Sequence, residues 1–550
     1  MSLRAGPIGP VPEETARVAR AAFPKGHPCL RLRDELGTIY DDTRFAALFP
    51  PRGRPAEAPW RLALVTVLQF AEGLSDRQAA DAVRDRLAWK YLLGLGLTDA
   101  GFDSSALSDF RARLVDGGAE HHLLDALLDR CTAAGLLKPR GRQRTDSTHV
   151  LAAVRALNRL EFVGETLRHA LNALAAVVPD WLRAQVAPEW YDRYGTRIET
   201  TRRPMSQAEL DALAATIGAD GLGLLSAAHA PSAPAWLREV PAVRTLRQVW
   251  LQNYHAPDVV TGELRLRAAR DMPPGTRLLQ SPYDLDARFG TKRETEWVGY
   301  RVHLTETCDE DAPQLITQVA TVPATTNDVE TTGEIQADLA ARDLLPAEHL
   351  LDAGYVSAQH LVASATTHQV DLVGPALLDT SWQAAANEGF DVTCFAIDWE
   401  ARTVTCPGGR TSRSWTEATR GDYPFYQVKF SKTDCRACPV RVHCTRCATG
   451  PRQLALRPRE EHAALQAARQ RQTTEGFATL YRKRAGIEGA LSQGVQVCGL
   501  RRARYRTLRK VRLEHMAIGA AISLQRLDAW WTATPRASTR TSRFAALAVA

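Results

Sequence analysis

The sequence is short of several things, and each absence narrows the field. No apolar run reaches the roughly 20 residues needed to span a bilayer, so no membrane partner is expected. The opening stretch, MSLRAGPIGPVPEETARVAR, lacks the apolar core of a secretion signal, and the expectation is a cytoplasmic protein. No segment repeats. Charge of one sign is not in large excess: 69 basic against 62 acidic residues leave a net charge of +7. That balance alone only weakly favours a polyanionic partner. Acids are missing, however, from one place. Arg501–Arg512 reads RRARYRTLRKVR without a single Asp or Glu, and Arg501, Arg502, Arg504 and Lys510 stand in it beside Tyr505. Cations crowded in this way repel one another unless phosphate neutralises them. Smaller basic clusters occur at Lys138–Arg144 and at 481–484.

Of the ten cysteines, Cys29, Cys131, Cys308, Cys394 and Cys498 are scattered, and five fall between 406 and 447. In a cytosolic chain such a cluster points to metal rather than disulfides. Cys435-x2-Cys438-x5-Cys444-x2-Cys447 offers paired thiolates from tight turns, which suits tetrahedral structural zinc. Two ligand sets are open: Cys406, Cys435, Cys438 and Cys444, or the last four with Cys447 in place of Cys406. The first is preferred, because the Cys406-Pro-Gly turn and a later Cys-x2-Cys make the two knuckles of a ribbon. Iron–sulfur binding, or reduced thiols without metal, are the other readings.

With 550 residues the chain is long enough for several structural units. Residues 1–40, with Gly and Pro, read as a flexible arm. Residues 41–138 carry helical periods: PWRLALVTVLQFAEGL after Pro59, a segment capped at Ser75, and SSALSDFRARLV. Together they suggest a helix-turn-helix-like DNA-binding bundle. A short strand follows near Gln143–Val150. Residues 155–280 read as a helical insertion broken by prolines. WVGYRVHLTET and QLITQVATVPA alternate as paired strands, NDVETTGEIQADLAARDLL reads as a helix capped at Asn327, and EHLLDAGYVS and VDLVGPAL are further strands. With the insertion removed, segments 139–154 and 281–389 have the element order of an RNase H-like α/β core, a mixed sheet flanked by helices. A cysteine-rich insertion spans 390–455. Residues 456–530 supply the closing helices, with one long helix expected from about Arg457 to Gly489. Residues 531–550 read as a disordered tail.

Cutting a phosphodiester with two metal ions needs hard oxygen ligands on a rigid frame. Three carboxylates sit in such settings. Asp146 lies in the strand QRTDSTHV. Asp352 ends an apolar strand before a Gly turn, at the sheet edge where α/β folds bind ligands. Glu488 follows Tyr481 and Arg484 on one face of the expected helix, the three standing at i, i+3 and i+7. Each carboxylate alone has an ordinary reading, as turn, cap or i,i+4 ion pair.

Together, the fragments RTDST, LLDAGY and Y-x2-R-x3-E resemble the DDE transposases of bacterial insertion sequences, in the IS4/IS5-like group and most nearly the IS1182 family. WRLALVTVLQFAEGLSDRQAADAVRDRLAWKYLLGL, SPYDLDARFGTKRETEWVGYRVHLTET and the late cysteine insertion extend the resemblance from about Asp41 to Leu527. It implies an enzyme that binds the terminal inverted repeats of its element in double-stranded DNA, cuts there, and joins the freed ends to target DNA. It implies Mg2+ or Mn2+ on Asp146, Asp352 and Glu488, with Tyr481 and Arg484 on terminal phosphates, a homodimer in the synaptic complex, and a place at the bacterial nucleoid. The signature expects Lys seven residues after the Glu, where this chain has Val495; Arg501 or Arg502 are the replacements to consider. The resemblance also brings Asp286, Arg288 and Lys292 towards the site, and His149 could face DNA. The same residues would serve a metal-dependent nuclease without strand transfer. A non-catalytic DNA-binding regulator would be marked by loss of a carboxylate.

Overall fold

The computed structural model of the chain describes residues 2–3, 6–199, 206–256, 264–385, 389–421 and 423–535. Residues 536–550, most of the expected tail, lie outside them.

Six strands form the main sheet: β1 (Arg140–Leu151), β2 (Arg288–Lys292), β3 (Thr295–Thr307), β4 (Ile316–Pro323), β5 (Pro346–Leu350) and β6 (Asp371–Val373). β3 is antiparallel to β1 from Gly299 to Thr307. Its first residues take β2 in a tight hairpin, and its later residues take β4. On the other side of β1 lie β5 and then β6, both parallel. The hairpins at β3 can be antiparallel because short loops close them, whereas the parallel step to β5 needs a crossover, here the helix Asp328–Ala341. β1 and β5 pair Arg144 with Leu350. Two residues further along each chain stand Asp146 and Asp352, so the register brings them level.

The helices before the sheet share its core. Trp60, Leu64, Phe70, Trp89, Phe110 and Leu124 belong to the same buried cluster as Val150, Val302, Leu304 and Ile518. The Leu508–Trp531 helix lies between the two sets, on β4 and against the Pro59–Ala71 and His122–Ala133 helices. Gly519 permits the close approach, since a methyl there would meet Val319 at 2.9 Å and Ile316 at 3.3 Å. Residues 155–280 have a separate core, in which Trp250 and Tyr254 pack on the Gln207–His229 helix at Gly221 and Gly218. That helix is the one, among the described residues, long and apolar enough by composition to cross a membrane. Residues 396–456 add two small antiparallel units: β7 (Ala396–Asp398) with β8 (Thr403–Thr405), and β9 (Ser414–Arg420), β10 (Tyr423–Lys429) and β11 (Gln453–Leu456).

Two expectations about elements need correcting. Residues 1–40 are not an extended arm throughout: Glu13–Ala22 and Pro28–Leu36 are helices. Ala19, Leu30, Leu32 and Leu36 enter the main core, and Arg31 pairs with Asp528 at 2.7 Å. The single long helix expected after Arg457 is instead Arg459–Arg471, Glu475–Arg482, a 3-10 turn at Lys483–Gly486, and Ile487–Val497. Thr474 caps the second piece, its hydroxyl accepting from the Phe477 N–H. The 3-10 turn has a tertiary cause. The Arg144 guanidinium donates to the Lys483 carbonyl, and it fills the space a Cβ on Gly486 would need, at 2.0 Å.

Arg144 is itself held by a buried acid. Glu306, near the end of β3 and with no exposed surface, accepts from Arg144 at 2.6 Å and from Arg526 of the Leu508–Trp531 helix. Arg526 also donates to Gln493 on the Ile487–Val497 helix at 3.0 Å. Glu306→Ala would leave two guanidiniums without their acid in a poorly solvated site. A loss of about 3–5 kcal/mol is expected, measured as a shift of the urea midpoint at constant m; a loss within experimental error would show that the cations find water instead.

Candidate active site

The pocket forms where β1 and the turn after β5 lie side by side. Asp146, half-buried on β1, receives the Arg484 guanidinium at 2.9 Å and the Ser147 N–H at 2.7 Å. Asp352 accepts from the Gly354 N–H at 2.8 Å, as an Asp before a Gly turn does. Burial pushes the Asp352 carboxyl above its usual range, and the charges of Asp146 and Asp328 push the same way. The Gly354 N–H and Lys292 pull against them. Glu488 is exposed at the start of its helix, 3.6 Å from Arg484. Arg484 thus stands between Asp146 and Glu488.

Asp328 is a residue that the sequence alone did not single out. It opens the helix after β4 and looks like an ordinary helix-start acid. Its Oδ1 accepts from Ser147 Oγ at 3.0 Å and Arg301 at 2.8 Å. Its Oδ2 faces the Asp352 turn: a methyl on Gly354 would stand 3.0 Å from Asp352 Oδ1 and 3.4 Å from Asp328 Oδ2. Burial works to raise the Asp328 pKa, but Arg301 and then Lys292 outweigh it, and the net shift is downward. Beneath the pocket, His303 bonds Tyr355 at 2.6 Å, and burial holds that imidazole neutral with its pKa lowered to about 4.

The other predicted residues fall into two groups. Tyr481 is half-buried, stacked on Phe477 at 5.4 Å with the Arg484 guanidinium over its ring. Arg501 is exposed at the end of β1, donating to Thr148 at 2.8 Å. Arg502 and Lys510 are exposed. Lys292 reaches the pocket, and His149 packs on Trp297 at 5.5 Å. The remaining cations of the acid-free run are engaged by the fold: Arg504 donates to the Leu74 carbonyl over the Phe70 ring, Arg506 lies over the Tyr283 ring, and Arg509 donates to Val115 and Arg512 to Thr321. Asp286 accepts from the Leu508 N–H at 2.9 Å, and Arg288 donates to Thr276 and Leu285 carbonyls; both hold loops together. Val495 packs against the main core and offers no phosphate contact.

Among the described residues, one group brings three ligating side chains within 4.8 Å of one another: His121, His122 and Asp125. Asp125 is already paired with Arg342 at 3.0 Å. The three carboxylates do not form such a group; the Arg484 guanidinium contacts two of them. Nor do the cysteines, although three of them lie near enough to Cys444 for their charge to act on it. Burial raises the Cys444 pKa, and Cys435, Cys406 and Cys438 act on it in the same direction. Cys447 is turned away: its exposed sulfur accepts from the Gly450 N–H at 3.2 Å.

Residues 405–528 match the family model described as Transposase DDE domain. Residues 17–113 match the one described as Transposase domain (DUF772). Both matches support a DDE transposase. The first takes in Glu488 and the cysteine-rich unit, while Asp146 and Asp352 lie outside both. The second begins inside the Glu13–Ala22 helix and includes the Pro28–Leu36 helix, both in the segment expected to be an arm. No curated protein and no solved structure matches the chain.

The raised Asp352 carboxyl makes a statement about stability. The unfolded chain releases this proton first, so stability falls as pH rises through the carboxylate range, and the deficit persists at neutral pH. Asp352→Asn keeps an oxygen for the Gly354 N–H but drops the charge. It should melt above the parent at neutral pH in EDTA, the gap closing below the carboxylate range. Scanning fluorimetry reads this directly; equal melting temperatures at neutral pH would contradict the mutual repulsion of the acids.

Proposed function

We propose that this chain is a transposase of the IS1182 kind, binding the terminal inverted repeats of an insertion sequence and catalysing metal-dependent DNA cleavage and strand transfer. The observation that carries the reading is the level placement of Asp146 and Asp352 on neighbouring parallel elements, close enough for the charge of one to act on the other. The strand order supports an RNase H-like core. β1 has the antiparallel β3 on one side, with β4 antiparallel to β3 beyond it, and the parallel β5 and β6 on the other, with a helical crossover between the halves.

Asp146, Asp352 and Glu488 would hold Mg2+ or Mn2+, which supplies Lewis acidity and an activated attacking oxygen. These side chains suit such an ion, since all three are oxygen donors and the charge of Asp146 works against that of Asp352. Arg484 keeps Asp146 and Glu488 neutralised and aligned. Tyr481 is fixed by Phe477 so that its hydroxyl end stays at the pocket. Arg501, Arg502 and Lys510 offer exposed charge to the DNA backbone beside the site. Two element ends must be joined, so a homodimer on DNA follows from the reaction. Such a protein works in the cytoplasm, at the nucleoid.

Cys406, Cys435, Cys438 and Cys444 are proposed to hold structural zinc. The donor set suits zinc: Cys435, Cys406 and Cys438 lie near enough to Cys444 to act on its thiol, while Cys447 is engaged elsewhere.

Two measurements test these readings. End-labelled duplexes from the DNA flanking the gene should be cut and joined by the parent with Mg2+ or Mn2+. Asp146→Asn and Asp352→Asn should fall to background while still binding; normal cutting by either variant would refute the site. For the cysteines, metal analysis should find about one zinc per chain. Cys406→Ser should lose it and Cys447→Ser keep it. The reverse pattern would select the other ligand set.

A further inference from the structure

The carboxylate pocket holds three cations, and they are not held alike. Arg301 donates to Asp328 at 2.8 Å and Arg484 to Asp146 at 2.9 Å, their side chains only 9% and 16% exposed. Lys292 is looser. Its ammonium stands 3.8 Å from Asp328 Oδ2, and its side chain is 44% exposed. Ser147 Oγ, at 3.5 Å, is its other polar neighbour. An ammonium has three N–H donors, and at these distances none is fully used.

The backbone that carries Lys292 is firmly built. β2 and β3 join through the two-residue turn Arg293–Glu294, with Arg293 at φ +56°. That left-handed conformation is strained for a non-glycine residue, so the surroundings must impose it. Below the turn, the Trp297 indole N–H donates to the Tyr300 carbonyl at 2.9 Å, and its ring lies so close to Gly290 that a methyl there would meet it at 2.7 Å. A fixed hairpin therefore presents a flexible cationic side chain beside β1.

We propose that Lys292 contacts the phosphate at the cut, waiting against Asp328 and Ser147 until DNA enters the pocket. The proposal rests on the DNA-cutting reading above. Exchanging Asp328 Oδ2 for a phosphate oxygen costs Lys292 little, because a long, half-exposed ion pair is weak. Asp328 loses little as well, since Arg301 and Ser147 remain on its other oxygen. Neither Arg301 nor Arg484 is free in this way. A compact ammonium on a flexible stem also suits a contact that must form as DNA arrives.

The test compares the full-length parent, Lys292→Ala and Lys292→Arg on end-labelled duplexes from the DNA flanking the gene. The scissile phosphate is either native or an uncharged methylphosphonate. Lys292→Ala should cut at least about tenfold more slowly at saturating Mn2+, and Lys292→Arg should recover most of the rate. In binding, Lys292→Ala should reduce the slope of log K against log salt by about one. That difference should vanish on the methylphosphonate duplex. An unchanged rate and slope for Lys292→Ala overturns the proposal, and so does a binding deficit that persists on the methylphosphonate. If the parent binds but cuts nothing, the catalytic reading fails, and the binding comparison still decides the Lys292 contact. A parent that binds no duplex overturns both.

Discussion

The buried carboxylate of Glu306 is the point on which the rest of the architecture hangs. An acid with no exposed surface in mid-sheet is tolerable only if it is fully paired, and Glu306 takes a guanidinium on each oxygen. One comes from β1 and the other from the C-terminal helix. Each guanidinium then directs further donors to the segment that carries Glu488: Arg144 to the Lys483 carbonyl, Arg526 to Gln493. A single acid therefore couples the strand of Asp146, the helix that joins sheet to N-terminal bundle, and the mount of the third carboxylate. The 3-10 turn between Tyr481 and Glu488 is a consequence of this coupling.

The same logic explains how the pocket keeps its acids together. Asp146 and Asp328 lie close enough to Asp352 to disfavour its charge. The fold answers with cations of graded tightness. Arg301 is locked to Asp328, Arg484 spans Asp146 and the exposed Glu488, and Lys292 waits at longer range. Loose pairing matters, because a site that must accept an anionic substrate needs at least one positive group whose partner is easily given up.

How much of this could be read from residues alone depended on the range of the interaction. The strands of Asp146 and Asp352 were legible because alternation and the Asp-x-Gly turn are local signals, and Ser75 announced its capping box in the same way. The break at Lys483–Gly486 was not, because its cause, Arg144, lies 339 residues away. Asp328 hid behind its own helix-start position, where an acid is ordinary. The acid-free run at 501–512 is not uniform in the fold: Arg504, Arg509 and Arg512 close backbone carbonyls of neighbouring elements. Nothing in the sequence separates a guanidinium that meets a carbonyl from one that meets water.

That partition sharpens where DNA backbone charge can be met. Once the engaged arginines are set aside, the available cations nearest the carboxylates are Arg501 and Arg502, beside the end of β1, and Lys292 on the hairpin. Arg501 bonds Thr148, and Leu151 pairs with the Arg502 backbone, so both lie along the strand that carries Asp146. Lys292 reaches Ser147 of that same strand from the β2–β3 hairpin. β1 thus carries one acid of the pocket and is met by available cations from two separate parts of the chain. The lysine that the signature of the resembled family places seven residues after Glu488 is a core-packed valine here, so on the proposed DNA-cutting reading positive charge for the phosphate would come from these elements rather than from the Glu488 helix.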